Sequence, residues 1–240
     1  MSSDLAFFVL GAFFAALAAG LAGFAFGLIA SGLWLHVLTP HEAVPLIAGC
    51  GLAIHVFSIW RFRNALRWRA LWPFLLGGII GIPLGTLALR HADPAAFRIG
   101  VGLFLVTYAG FMLLRPPMPA VAAGGRLVDG CVGAAGGVLG GLAGLSGVLP
   151  TIWCDLRGWP KDAQRGVYQS YILVIQSLVM VSLALSGGIG VREMKLFLAA
   201  LPAIALGAML GFRLYDRVDP MQFRRILLVL LLISGAALLV

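Results

Sequence analysis

The chain has 240 residues, of which 61% are hydrophobic and only 11% are charged. Soluble domains are nearer half apolar and a quarter charged, so this composition excludes an ordinary soluble protein and indicates a polytopic membrane protein. We attribute the net charge of +8 to basic residues in cytoplasmic loops and at lipid headgroups rather than to nucleic-acid binding. Lys and Arg are typical of cytoplasmic loops of membrane proteins and bind anionic headgroups.

Apolar runs between charged or proline-rich breaks predict an all-α fold with eight membrane segments. The start, MSSDLAFFVL, lacks the basic region and cleavage site of a secretory signal, so we expect it to belong to the first segment. The stretch RPPMPAVAAGGR predicts a first repeat over 1–114, a linker over 115–126 and a second repeat over 127–240. The segments are predicted at roughly 5–38, 42–60, 70–90, 95–114, 127–156, 162–186, 193–213 and 221–240.

The two halves resemble each other in sequence. GIPLG…DPAAFR (81–98) aligns with GAMLG…DPMQFR (207–224) at a constant offset of 126, and GLAG occurs at both 20–23 and 141–144. Asp-Pro is common at helix starts, but the ordered set of matches indicates a duplication. Duplicated halves around a central site are typical of transporters. Parallel and inverted repeats both remain open, because the number of crossings per half decides between them.

The first segment of each half is too long for a straight span. Residues 5–38 as one helix would extend about 50 Å, against a bilayer core of about 30 Å, and both runs contain glycines midway. We therefore predict that both are bent or interrupted. An interruption frees N–H groups at the start of the second half-helix, where the helix dipole favours an anion. The alternative is close helix packing through small residues, as in Gly23-xxx-Gly27. The substrate-binding residues predicted from these runs are Gly27, Ser31, Gly144, Ser146 and Gly147.

The loop after the second segment, RFRNALRWR (61–69), holds four arginines. The positive-inside rule places this loop in the cytoplasm. Arginines between the seventh and eighth segments would then lie on the opposite side, so the orientation of the termini stays open.

Polar residues inside the segments are the remaining site candidates. Arg165, Gln169 and Gln176 of the sixth segment share one helix face, and such groups normally face a cavity or the bundle interior. A guanidinium suits an oxyanion such as sulfite, sulfonate or carboxylate. His55 of the second segment aligns with Gln176 at an offset of 121 and is a candidate for binding the anion or carrying a coupling proton. The alternatives are an interfacial, snorkelling Arg165 and a His55 that bonds a neighbouring carbonyl.

Catalytic and metal chemistry are disfavoured. GLSG (144–147) matches the GxSG of rhomboid-type intramembrane proteases, which need a histidine base on a later helix, but no histidine follows His91. We therefore predict that the chain is not an enzyme. Cys50, Cys131 and Cys154 form no CxxC pair, which predicts buried thiols rather than disulfides or a zinc site. We expect no metal and no cofactor, and the absence of a phosphate loop argues against an ATP-driven pump.

The ordered set of motifs resembles the TauE/SafE sulfite-exporter family, also called the TSUP permeases. The motifs are the glycine-rich start of each half, LTPHEAVPL (38–46), the basic loop, GIPLG, and the Asp-Pro starts of the fourth and eighth segments. The resemblance covers nearly the whole chain and implies a prokaryotic inner-membrane permease for sulfite, organosulfonates or related small anions. It supplies no fixed substrate signature, so the site residues above rest on polarity and symmetry.

The residues predict a secondary transporter for a small anion, and the resemblance implies that it exports a sulfur-containing one. A permease for another small anion such as a carboxylate, and an anion channel, remain the alternatives. The expected partners are the anionic substrate and the lipid bilayer. A homodimer and coupling to protons are left open.

Overall fold

The computed structural model describes residues 2–62, 67–114, 124–214, 217 and 220–240. Within these ranges the chain forms ten α-helices and no β-strand, which agrees with the predicted all-α class. The helices are α1 (Ser2–Ala22), α2 (Phe26–Trp34), α3 (Pro40–Phe62), α4 (Trp68–Arg90), α5 (Pro94–Leu114), α6 (Gly125–Ala143), α7 (Val148–Leu156), α8 (Lys161–Leu185), α9 (Val191–Leu214) and α10 (Pro220–Ala237).

Six predicted segments correspond to single helices, namely α3, α4, α5, α8, α9 and α10, whose ends lie within three residues of the prediction. The two long segments each form two helices, with breaks at 23–25 and 144–147. Most of the predicted linker, 115–123, lies outside the described residues, and α6 begins at Gly125. The division into two repeats, and the number of eight segments, stay predictions.

The helices differ in whether they can cross a bilayer. In the described part of the chain, five are long and apolar enough by length and composition, namely α1, α4, α5, α8 and α9. The helices α2 and α7 have nine residues each, so they extend about 14 Å, less than half of the bilayer core. On the outer face of α4, Ile80 is 69% exposed and Leu84 is 60% exposed. Such an apolar surface suits contact with lipid chains rather than water.

Long helices of the two predicted halves pack against each other: α1 against α9, α4 against α6, α3 against α8, and α5 against α10. Glycines allow the closest of these approaches. A Cβ on Gly81 would overlap the carbonyl oxygen of Ala134, and a Cβ on Gly207 would overlap that of Phe13. The glycines differ by 126 positions and their partners by 121, which are the two offsets found in the sequence. The same backbone contact therefore occurs twice, once between α4 and α6 and once between α1 and α9.

Candidate functional site

Both breaks depend on a glycine with left-handed backbone. Gly23 follows α1 with φ of +85°, and Gly144 follows α6 with φ of +72°. An L-amino acid with a side chain rarely adopts this conformation. The two glycines are 121 positions apart, the same offset that aligns His55 with Gln176. Each long run is thus interrupted at the equivalent residue.

Polar side chains of α8 cover the C-terminal end of α1. Arg165 Nη2 donates a 2.6 Å hydrogen bond to the carbonyl oxygen of Leu21, and Tyr168 Oη donates one of 3.2 Å to that of Ala22. The last carbonyls of a helix lack partners within the helix, and a cation there is favoured by the helix dipole. Arg165 is only 6% exposed, so its guanidinium does not extend to the protein surface as that of a snorkelling arginine would. It stabilises the first break.

The second half-helices begin without side-chain caps. Ala25 precedes α2, Gly147 precedes α7, and neither N-terminus receives a capping hydrogen bond from its N-cap side chain. The first N–H groups of a helix have no partner within the helix, and the dipole places partial positive charge there. The two breaks also meet, because a Cβ on Gly27 would lie 3.0 Å from the carbonyl oxygen of Gly144. Two helix N-termini therefore converge on one place in the protein.

A small pocket lies at this convergence. Its volume is about 10 Å³, which is room for about one water molecule. Residues of α3 and α8 complete its wall. The pocket is lined by Phe24, Phe26, Gly27, His55, Gly144, Leu145, Gly147, Val148, Ile172 and Gln176.

Two buried polar side chains in the pocket wall have unused hydrogen-bonding atoms. His55 is 3% exposed and Gln176 is 4% exposed. Among the residues that the structure describes, His55 Nδ1 and Gln176 Oε1 have no hydrogen-bond partner. The Gln176 Nε2 donates only a long bond of 3.4 Å to the carbonyl oxygen of Gly144. Buried polar atoms are nearly always hydrogen-bonded in folded proteins. These two side chains are thus available to a ligand, and His55 shows no bond to a neighbouring carbonyl through Nδ1.

The structure brings five of the nine predicted site residues to the pocket wall, and four lie elsewhere. Ser31 Oγ donates to the carbonyl oxygen of Leu28 within α2, at 3.1 Å. Ser146 is fully buried and its Cβ lies toward Gly140 of α6. Gln169 lies beside the first break with Arg165. The five residues at the wall are Gly27, His55, Gly144, Gly147 and Gln176.

Sequence reasoning missed the apolar half of the wall and one polar neighbour of the first break. Phe24, Leu145 and Ile172 line the pocket, but a search for polar residues inside apolar segments does not find them. Tyr168 was also missed, although it is one residue from Gln169. Its position one turn after Arg165 on the same helix was the available signal.

Metal ligands are not clustered in the described ranges: no group of three His, Cys, Asp or Glu side chains lies close enough to hold an ion. The prediction of buried thiols is correct for Cys50 and Cys154 but wrong for Cys131, which is exposed. Cys131 lies on α6, whose opposite face carries the glycines that pack against α4. Its own side chain therefore points away from that contact.

Comparisons with known proteins show which sequences this chain resembles. A family model described as "Sulfite exporter TauE/SafE" matches residues 8–238. The "Probable inner membrane transporter protein TsaS" of Comamonas testosteroni is 28% identical over 188 residues, which cover 74% of this chain and 74% of that protein. No solved structure matches the chain.

Proposed function

The chain belongs to the sulfite exporter TauE/SafE family, and we propose that its cargo is sulfite, an organosulfonate or a related small sulfur-containing anion. It is a multi-pass membrane transporter of the prokaryotic inner membrane and not an enzyme. Those parts of the sequence prediction are confirmed. The cargo, its binding site and the outward direction of transport are our proposal.

The observation that carries the proposal is the convergence of two uncapped helix N-termini on one buried pocket. Backbone N–H groups and helix dipoles at such ends bind anions without a formal positive charge. His55 can donate through Nδ1 in one tautomer, and the amide of Gln176 contains two N–H donors. A neutral set of donors holds an anion weakly enough to release it, which transport requires.

Cargo binding needs a wider pocket than the present one. A volume of about 10 Å³ accepts about one water molecule, whereas a sulfite ion has four heavy atoms. We infer that the half-helices α2 and α7 move apart about the breaks at Gly23 and Gly144, since glycine tolerates large changes in φ and ψ. Movement of one half against the other around a fixed site is a common transport mechanism. In this proposal Arg165 and Gln169 support the first break while α2 moves.

Export of an anion needs no coupling ion. A membrane potential of 100 mV, negative inside, favours outward movement of one negative charge by about 2.3 kcal/mol. Inward movement of a proton through His55 in exchange for the anion would add to this driving force but is not needed for net export.

The cargo is tested with purified protein in proteoliposomes loaded with sulfite. We expect saturable sulfite efflux that an inside-negative potential accelerates and that taurine and sulfoacetate inhibit. Chloride and acetate should compete weakly. Stronger competition by carboxylates would identify a carboxylate permease, and flux that never saturates would identify a channel.

The site is tested with Gln176→Leu, which removes the amide but keeps a side chain of similar size. Loss of one hydrogen bond to a charged ligand should raise the sulfite concentration for half-maximal transport about tenfold. The matched control is Gln222→Leu on α10, where the glutamine is exposed. If both variants reached half-maximal transport at the same sulfite concentration, the proposed binding site would be refuted, but the proposed cargo would not.

A further inference from the structure

A second cavity, which we name the basic basin, lies where α4 and α6 begin and α7 ends. Its volume is about 560 Å³, far larger than the pocket between the half-helices. Arginine and tryptophan side chains dominate its wall. The basin is lined by Arg67, Trp68, Arg69, Arg126, Arg157 and Trp159.

The basin has an excess of positive charge. Arg157 is balanced by Asp129, whose Oδ2 lies 3.9 Å from Arg157 Nη2 and whose Oδ1 accepts a 2.7 Å bond from Trp153. No acidic side chain in the described ranges pairs with Arg67, Arg69 or Arg126. Three guanidinium groups are therefore available to an anionic ligand.

Helix ends add to this charge. Arg67 is the N-cap of α4 and Gly124 is the N-cap of α6, and neither supplies a side-chain cap. Cations at a helix N-terminus are disfavoured by the dipole, so the two helix ends raise the positive potential that the arginines create. An anion in the basin would be attracted both by the arginines and by the two helix N-termini.

An apolar stripe begins at the edge of the basin. The guanidinium carbon of Arg126 lies 5.7 Å from the ring centre of Trp72. Trp72, Leu76, Ile80 and Leu84 are all exposed and follow one another at four-residue spacing along α4. The stripe therefore starts beside the arginines and runs along the helix toward the other side of the membrane.

We propose that the basic basin binds the phosphate headgroup of an anionic phospholipid, whose acyl chain lies along this stripe. The arginines match the phosphate, and basic pockets between membrane helices bind anionic headgroups. Tryptophan is typical of the headgroup level of a bilayer. A free anion would use the arginines alone, whereas a phospholipid would contact both the arginines and the stripe, so the continuity of the two surfaces favours a lipid.

Native mass spectrometry of the purified protein with phosphatidylglycerol or phosphatidylcholine tests the proposal. The wild type should bind phosphatidylglycerol more tightly than phosphatidylcholine. Each basic residue contributes about fivefold to binding of an anionic surface, so the double variant Arg69→Gln/Arg126→Gln should bind phosphatidylglycerol about 30-fold more weakly. Arg126→Gln alone should bind phosphatidylglycerol about fivefold more weakly than the wild type. The affinity for phosphatidylcholine should be the same in all three proteins.

The matched control is Arg90→Gln, because Arg90 is an exposed arginine at the opposite end of the same helix. It should retain wild-type affinity for phosphatidylglycerol. Equal affinities of the double variant and the wild type would overturn the proposal. A second experiment adds inorganic phosphate or sulfite as a competitor. Displacement of the lipid by millimolar concentrations of either ion would identify a small-anion site and would also overturn the proposal.

Discussion

Replacement of Gly144 by alanine tests the break between α6 and α7. The residue has φ of +72°, and its added Cβ would lie 2.6 Å from Cγ2 of Ile47 on α3. The substitution therefore imposes two separate penalties, one on the backbone and one on packing. The backbone penalty acts at the junction of α6 and α7, and the packing penalty acts between this junction and Ile47.

The size of the effect follows from these two contributions. A left-handed conformation costs an L-residue roughly 1–2 kcal/mol, and an extra carbon in a well-packed interior typically costs about 1–3 kcal/mol. We expect Gly144→Ala to destabilise the protein by about 2–5 kcal/mol. The matched control is Gly110→Ala on α5, where a Cβ would meet no atom of the described residues within 4 Å. Alanine is the better helix former there by roughly 0.5–1 kcal/mol.

Thermal unfolding of the purified proteins in one detergent measures the difference. The midpoint of Gly144→Ala should fall well below that of the wild type, and the midpoint of Gly110→Ala should equal or exceed it. Sulfite efflux should fall with Gly144→Ala even below its unfolding temperature, because the half-helix N-terminus is displaced. Equal midpoints for Gly144→Ala and the wild type would refute the left-handed break.

Two further predictions concern the support of the first break and the cysteines. Arg165→Met removes the hydrogen bond to the Leu21 carbonyl and leaves that group buried, which should cost about 1–3 kcal/mol in thermal unfolding; unchanged stability would argue that the contact does not form. In the folded protein N-ethylmaleimide should modify Cys131 alone, whereas Cys50 and Cys154 should react only after denaturation. Modification of two or three thiols in the native state, measured by mass, would contradict the buried positions.

Local sequence properties were sufficient for the helices and for the two breaks. Long apolar runs bounded by charge and proline placed most helix ends within three residues. The length of residues 5–38 and 127–156 predicted the interruptions, because a straight helix of that length does not fit a bilayer. Both arguments need only the amino-acid sequence and the thickness of the bilayer.

Side-chain contacts could not be predicted in the same way, because they depend on tertiary packing. Arg165 bonds a carbonyl 144 positions away, and no sequence spacing indicates that partner. Ser31 was expected to face the substrate, but it bonds the carbonyl of Leu28 within its own helix. Cys131 was expected to be buried because its run is apolar, yet it lies on the exposed side of α6. For Ser31 and Cys131 the rotation of the helix about its axis decided the outcome, and periodicity leaves this rotation undetermined in a run that is apolar all round.

The most direct test of the proposed site is to locate a bound anion. Selenite is the selenium analogue of sulfite, and a crystal of the protein grown with selenite would reveal the selenium by its anomalous scattering. We predict one peak between the N-termini of α2 and α7, within hydrogen-bonding distance of His55 or Gln176. A peak confined to the basic basin, with none between the half-helices, would contradict the account.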